Sequence, residues 1–264
     1  QKSLALAPAP QVQQMLARAQ RETTVEARHE QASSSHFNLR FEGRQVSPDF
    51  RRQLLEVLER QHQELDRQLD AALREPIPVI LYADQAFRDV TRAPSWAGAI
   101  NDGRLRLPVE GLSQVTSELA RVLKHELVHS FVWAKTRGRC PHWLNEGLAQ
   151  ALEGSSVRGD RRLAELWLAG QRLPWAMIEQ PFVSLDPRVV PFAYAQGLVA
   201  VEFLISRYGM HEVVRLLGRL AEGQPFSAAL EMDGPPGYGS PSRLAPLSNA
   251  SPAASSRVRP SKAP

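Results

Sequence analysis

The sequence has 264 residues, of which 43% are hydrophobic and 23% are charged, so the chain is long enough to bury a core. The net charge of +4 is carried by residues 234–264, which include four basic residues and no acidic one, and the rest of the chain is neutral. A neutral body without a basic stripe argues against a nucleic-acid partner. The single cysteine, Cys140, excludes an intramolecular disulfide and a Cys-rich metal site.

The beginning of the chain predicts an exposed helix. Residues 10–31 are polar and helix-forming with only sparse apolar positions. The segment 3–8 is rich in alanine and leucine, and we interpret it as a linker rather than the end of a signal peptide. The cellular location stays open, and an extracytoplasmic location in a bacterium is slightly favoured. The longest apolar run, at 192–205, is interrupted by polar residues, so no membrane span is expected.

A strand and a long amphipathic helix come next. Apolar and polar residues alternate over 36–43 and a glycine closes the run, which predicts a half-buried strand. Ser47, Pro48 and Asp49 then supply a helix N-cap, a proline at the first helical position and an acid in the first turn. The helix that they begin has one apolar stripe, which consists of Leu54, Leu58, Leu65, Leu69 and Leu73.

Two further strands are predicted before the next helix. Residues 78–82 form a short apolar run, and residues 104–109 alternate in polarity. Between them, 98–103 contains Asn, Asp and Gly, which tolerate the positive φ of a tight turn. We expect 104–109 to be an edge strand, where an extended peptide can pair with the backbone and Pro108 limits that pairing.

The clearest functional signal lies in the helix predicted from about Ser113 to Gly138, which contains His125-Glu126-Leu127-Val128-His129. Two histidines four positions apart lie about 40° apart around a helix, so both imidazoles point at one spot and suit a divalent cation. Glu126 is placed to act as general base on a metal-activated water. The metzincin pattern is excluded, because Val132 and Lys135 stand where it needs glycine and histidine.

A catalytic zinc site needs a third protein ligand and leaves one position for water. The downstream residues that offer such a ligand are His142, Glu146, Glu153 and Asp160. We favour Glu146, because Pro141 and the polar turn before it can begin a second helix that brings an early carboxylate back against the first. The predicted cofactor is therefore Zn²⁺, held by His125, His129 and Glu146.

The two motifs together resemble a known family. His-Glu-Leu-Val-His at 125–129, followed by Trp-Leu-Asn-Glu-Gly-Leu-Ala at 143–149, is similar to the gluzincin metallopeptidases, and most of all to their bacterial peptidase-MA-like members. The similarity extends from about residue 36 to residue 230. It implies that both histidines and Glu146 bind zinc, that Glu126 activates water, and that the fold is zincin-like.

Three further features each allow two interpretations. The segment Ala193-Tyr194-Ala195-Gln196 resembles one that follows the zinc helices in these domains, and several relatives stabilise the tetrahedral intermediate with a tyrosine. Tyr194 is therefore either a catalytic residue or a core tyrosine with a satisfied hydroxyl. Asn101 and Asp102 faintly resemble part of the substrate-binding strand of the zinc aminopeptidases, but a hairpin turn explains them adequately. His142 either binds substrate or is an exposed histidine beside a helix start.

These features divide the chain into three regions. Residues 1–35 are an N-terminal helix and linker, and 36–232 are a peptidase-MA-like domain. Residues 233–264, rich in Pro, Ser and Gly, are expected to be a disordered basic tail. The domain is predicted to be α+β, with a small mixed or antiparallel sheet packed on the zinc helix. A helical subdomain follows, with helices at 190–207 and 211–221.

The predicted function is hydrolysis of peptide bonds in a peptide or protein substrate by a zinc metallopeptidase with Glu126 as general base. A zinc-binding scaffold without turnover, or a protein-interaction domain, is the alternative. The intact Glu126 argues against a scaffold, since a structural site needs no base and is closed by a fourth protein ligand. The substrate sequence, endo- or exopeptidase action and the oligomeric state stay open.

Overall fold

The computed structural model describes residues 10–43, 46–91, 99–101, 103–158, 161, 165, 168 and 172–230. The fold is α+β, as expected, with a sheet region followed by a helical region. The sheet region contains α1 (Pro10–Glu26), β1 (Glu30–Ser33), β2 (Phe37–Phe41), α2 (Pro48–Leu69), β3 (Ile77–Tyr82), α3 (Asp84–Thr91), β4 (Ile100–Asn101) and β5 (Leu105–Pro108). The helical region contains α4 (Ser117–Thr136), α5 (His142–Glu153), α6 (Trp175–Ile178), a 3-10 turn (Phe182–Ser184), α7 (Val190–Tyr208), α8 (Met210–Ala221) and α9 (Phe226–Ala229).

The five strands form one mixed sheet in the order β1-β2-β3-β5-β4. β2, β3 and β5 are parallel to one another, whereas β1 and β4 pair antiparallel at the two edges. The prediction that 104–109 is an edge strand is wrong, because β4 pairs with Leu105 and Arg106. β1 was not predicted, and it places the start of the sheet before residue 36.

The core lies between the inner face of the sheet and the helices α2 and α4. β2 alternates between buried and exposed side chains, as its sequence predicts. α2 begins at Pro48, where the Ser47 hydroxyl accepts a hydrogen bond from the Phe50 amide at 3.1 Å. The stripe of α2 is buried as far as Leu69, where the helix ends, and Leu73 lies beyond it. None of the described helices has the length and apolar character that crossing a bilayer requires.

α1 packs on the outer face of the sheet, and its other side is exposed, as predicted. It covers Arg106 of β5, whose side chain is only 3% exposed. This guanidinium lies 3.0 Å from Glu22 and 3.4 Å from Glu26, and it donates to the Tyr82 hydroxyl at 2.6 Å. The acidic side chains of α1 are thus paired with a buried arginine. The hydrophobic pattern of the sequence does not reveal this pairing.

A buried histidine joins α2 to the core. The His62 ring stacks on His36 at 3.9 Å and meets the edge of Phe131 at 5.0 Å. His36 is held by Glu59, whose carboxylate lies 2.6 Å from its Nδ1. Burial, and then the charge of His36, lower the pKa of His62, although Glu59 and Asp66 oppose the shift. The His62 ring therefore stays neutral in the folded protein near neutral pH.

The helical region brings α4, α5 and α7 together. α4 begins at Ser117, four residues after the predicted start, because the Thr116 hydroxyl caps it by accepting from the Leu119 amide at 3.1 Å. α5 and α7 touch at two glycines, since a Cβ on Gly147 would lie 2.4 Å from the carbonyl oxygen of Gly197. This close approach places the first turns of α7 beside the middle of α5.

Candidate metal centre

α4 and α5 bring the three predicted metal ligands together. The His125 and His129 rings lie one turn apart on α4, with centroids 4.9 Å apart. From α5, Glu146 places Oε2 3.5 Å from His125 Nε2 and Oε1 3.7 Å from His129 Nε2. The ligand atoms of all three residues lie within 4.8 Å of one another. Two histidine nitrogens and one carboxylate thus converge from two helices.

The donor set fits a divalent cation. The separations of 3.5 and 3.7 Å are long for hydrogen bonds. Ligand atoms about 2.0–2.2 Å from a tetrahedral zinc lie about 3.3–3.6 Å from one another, which is close to these separations. Glu146 Oε2 is shielded from solvent and has no hydrogen-bond partner among the described residues. Two imidazole nitrogens and a carboxylate that converge at these distances favour a positive charge between them.

Glu153 orients the first histidine. It follows Glu146 by seven residues, two turns along the same face of α5, and its Oε2 lies 2.9 Å from His125 Nδ1. The carboxylate also receives hydrogen bonds from Arg121 at 2.7 Å and from Ser155 at 2.6 Å. Because Nδ1 is held by Glu153, the opposite ring nitrogen, Nε2, is turned toward Glu146. The sequence offered Glu153 only as an alternative ligand, and Asp160 lies outside the described residues.

The pKa values show how strongly this centre attracts positive charge. Burial alone would lower the pKa of His125, but its interactions with Glu146 and Glu153 raise it to about 10. Burial alone would raise the pKa of Glu146, but His125 and His129 hold it below its ordinary value. A cation that replaced the proton on Nε2 would meet the Glu146 carboxylate, while Glu153 still holds Nδ1 on the opposite side of the ring.

Glu126 lies beside this centre and is largely enclosed. Burial is the main cause that raises the pKa of its carboxyl, while the charges of His129 and His125 oppose the shift. Its backbone carbonyl accepts a hydrogen bond of 2.6 Å from the Asn101 amide, which also donates to the Ser130 hydroxyl at 2.6 Å. Asn101 is therefore a residue of the edge strand β4 that ties the sheet to α4. Its predicted neighbour in the turn, Asp102, lies outside the described residues.

Two further side chains face Glu146. The His142 Nε2 lies 3.4 Å from Glu146 Oε1, and its ring meets the edge of Phe182 at 4.5 Å. The interpretation of His142 as an exposed histidine is wrong, because its side chain is only 25% exposed. Tyr194 of α7 packs on the other side of Phe182, at 5.0 Å. Burial, and then the charges of Glu146 and Glu126, raise the pKa of the Tyr194 phenol well above its usual range, so it stays a hydrogen-bond donor.

The centre opens into a cleft of about 710 Å³, which is large enough for part of a peptide. One side presents His129, His142 and Glu146. Elsewhere the cleft is lined by residues 73–78, which run from beyond α2 into the start of β3, and by Trp133 and Ala134 near the end of α4. Two of the predicted metal ligands, His129 and Glu146, therefore face an open groove.

Comparison with known families agrees with this geometry. A sequence model of the peptidase MA superfamily matches residues 60–234, which is more than half of the chain and includes all the residues of the centre. No curated protein matches the chain closely enough in sequence to add a named relative.

Proposed function

Because this chain belongs to the peptidase MA superfamily, we propose that it is a zinc-dependent metallopeptidase of the gluzincin type that hydrolyses peptide bonds in a peptide or protein substrate. The observation that carries this proposal is the convergence of His125, His129 and Glu146 at an open cleft, with the partly buried Glu126 beside them. We propose that the peptidase domain predicted at 36–232 also includes β1, because all four residues of β1 pair with β2.

In this proposal the two histidines and Glu146 hold zinc, and Glu153 fixes the orientation of His125. Zinc, when bound, supplies a Lewis acid that polarises the substrate carbonyl and lowers the pKa of water. With only three protein ligands, the centre leaves room for reacting molecules, unlike a structural site closed by four.

Glu126 is the general base. Its carboxylate removes a proton from the attacking water and returns it to the nitrogen of the leaving amine. Burial supports this role, because a raised pKa brings the carboxyl closer to neutral pH, where both taking up and giving back a proton are favourable.

Tyr194 is the candidate donor to the carbonyl oxygen that becomes negative as water attacks. Its phenol remains protonated because its pKa is raised, and it reaches the region of Glu146 from a separate helix. A hydrogen bond that strengthens as charge develops on the oxygen stabilises the transition state.

The test combines metal content with peptide cleavage. Wild type, Glu126→Gln and Glu146→Gln are measured for bound zinc by mass spectrometry and for cleavage of a mixed peptide library. We expect wild type to bind one zinc and to cleave peptides, Glu126→Gln to keep zinc and lose cleavage, and Glu146→Gln to lose both. Glu222→Gln, an exposed carboxylate at the end of α8, is the matched control and should behave as wild type.

Two outcomes would contradict the proposal. Zinc bound by wild type without cleavage of any peptide would favour a scaffold. Cleavage that survives in Glu126→Gln would remove this residue as the general base.

A further inference from the structure

An exposed tryptophan lies next to the metal centre. Trp133 is one helical turn after His129 on α4, and its side chain is 69% exposed. Tryptophan is highly buried on average in folded proteins, and aromatic anchors of this kind dominate the energetics of many interfaces. None of the described interactions of the metal centre uses this ring, so the indole is available for contact with a ligand.

Trp133 lies in an apolar part of the cleft. The groove that begins at His129 and Glu146 continues between the end of α4 and residues 73–78. The apolar residues that line this part are Leu73, Pro76, Ile77, Pro78, Trp133 and Ala134. The cleft that contains His129 and Glu146 therefore also presents an apolar wall with an indole ring.

Two features hold this wall in place. Gly138, with a φ of 74°, leaves room for the indole, because a Cβ there would lie 3.0 Å from Trp133 Nε1. Lys135 of the same helix binds the end of α2, with its Nζ 3.1 Å from the Asp70 carboxylate. Lys135 thus links the end of α4 to the end of α2, three residues before the segment 73–78.

The charged residues of this wall favour neither an anionic nor a cationic ligand. Arg74 and Glu75 line it side by side, and both are exposed. Because these opposite charges offset each other, apolar contact is the main basis for selection in this part of the cleft.

We propose that Trp133 and residues 73–78 form a subsite for a large apolar side chain close to the scissile bond, and that the substrates are extended peptide segments carrying such a side chain. This inference rests on the proposed peptidase function. Trp133 lies about 6 Å along the helix axis from His129, a distance that about two residues of an extended peptide cover. Large apolar side chains are mostly buried in folded proteins, so the occupant is a flexible or unfolded segment.

The test measures side-chain preference directly. Wild type and Trp133→Ala, both loaded with zinc, digest a peptide library in which the positions around the cleaved bond carry Phe, Leu, Ala or Asp. We expect wild type to prefer Phe or Leu at one position. Trp133→Ala reduces the ratio of kcat/KM for Phe over Ala there by about tenfold or more, without changing zinc content. Phe203→Ala, which removes a 40% exposed aromatic ring from α7 outside the cleft, is the control and keeps the wild-type preference.

The outcomes separate this inference from the proposed function. The subsite is wrong, and the peptidase function stands, if wild type cleaves peptides without preferring apolar side chains. The same holds if the Trp133→Ala variant keeps the apolar preference of wild type. If wild type cleaves nothing, the peptidase function fails, and binding of fluorescently labelled versions of these library peptides to zinc-loaded Glu126→Gln decides the subsite. The subsite is supported if the Phe peptide binds more tightly than the others and this preference disappears in the double variant Glu126→Gln/Trp133→Ala. Equal binding of all the peptides overturns the subsite.

Discussion

Glu153 offers the sharpest test of how the chain builds its centre. In the Glu153→Ala variant, His125 Nδ1 loses the acceptor that lies 2.9 Å away and fixes the direction of Nε2. The Glu153 side chain is only 5% exposed, so water replaces it poorly. We therefore expect Glu153→Ala to weaken zinc binding without removing any of the three proposed ligands.

The magnitude follows from the hydrogen bond that is lost. A hydrogen bond to a charged group contributes about 1.5–3 kcal/mol, and about 1.4 kcal/mol corresponds to a factor of ten. Glu153→Ala should thus lower zinc affinity by about 10–100-fold, as is usual for residues that orient a histidine ligand. Glu153→Gln keeps an acceptor but loses the charge, so its effect should be smaller.

Zinc affinity is measured by competition with a chromophoric chelator. Arg121→Ala is the control, because Arg121 binds the same carboxylate from a side chain that is 42% exposed. Such a partly exposed ion pair contributes little, and we expect zinc affinity to fall by less than about threefold. Wild-type zinc affinity in Glu153→Ala would refute the assignment of Glu153 as the residue that positions His125.

Three other predictions concern helix packing, catalysis and pH. Gly147→Ala should lower the free energy of unfolding by about 1–3 kcal/mol in denaturant titrations, because its Cβ would meet the carbonyl of Gly197. Tyr194→Phe should lower kcat by about 100-fold and leave zinc content unchanged, because Phe keeps the packing but lacks the hydroxyl. Because the folded pKa of His62 lies below the value of 6.5 expected when unfolded, its neutral form stabilises the fold fully above about pH 6.5. That contribution should be lost as the pH falls toward the folded pKa, and His62→Leu should flatten the dependence of Tm on pH in this range.

Each of these predictions has a control or a contradicting result. Gly218→Ala adds a Cβ with no neighbour within 4 Å and should leave stability unchanged or raise it by up to about 1 kcal/mol. Equal losses in the Gly147→Ala and Gly218→Ala variants would mean that the helix crossing is not the cause. An undiminished kcat in Tyr194→Phe would assign the ring to packing alone. An unchanged pH profile in His62→Leu would show that another group governs acid stability, with His36, Glu59 and Asp66 nearest.

Local signals explain the parts of the fold that the sequence predicted. The Ser47 cap, the alternation of β2 and the end of α7 before Gly209 depend on residues that are close along the chain, and the structure agrees with all three. The four-residue spacing of His125 and His129 puts both rings on one face of a helix for the same reason. The start of α4 was misplaced because Ser113 and Thr116 both have the chemistry of an N-cap, and only Thr116 makes the hydrogen bond.

Contacts between distant segments decided the rest. The two-residue strand β4 is too short to leave a periodic signal, yet it takes the edge beside β5 and turns Asn101 toward α4. Glu153 differs from other acidic side chains only because α5 packs against α4 beside His125. The sequence by itself therefore determined which residues have metal-binding chemistry and which helices carry them. Only the tertiary structure decided which of these groups meet and which carboxylate orients a ligand, because those choices depend on helix packing between segments that sequence periodicity does not relate.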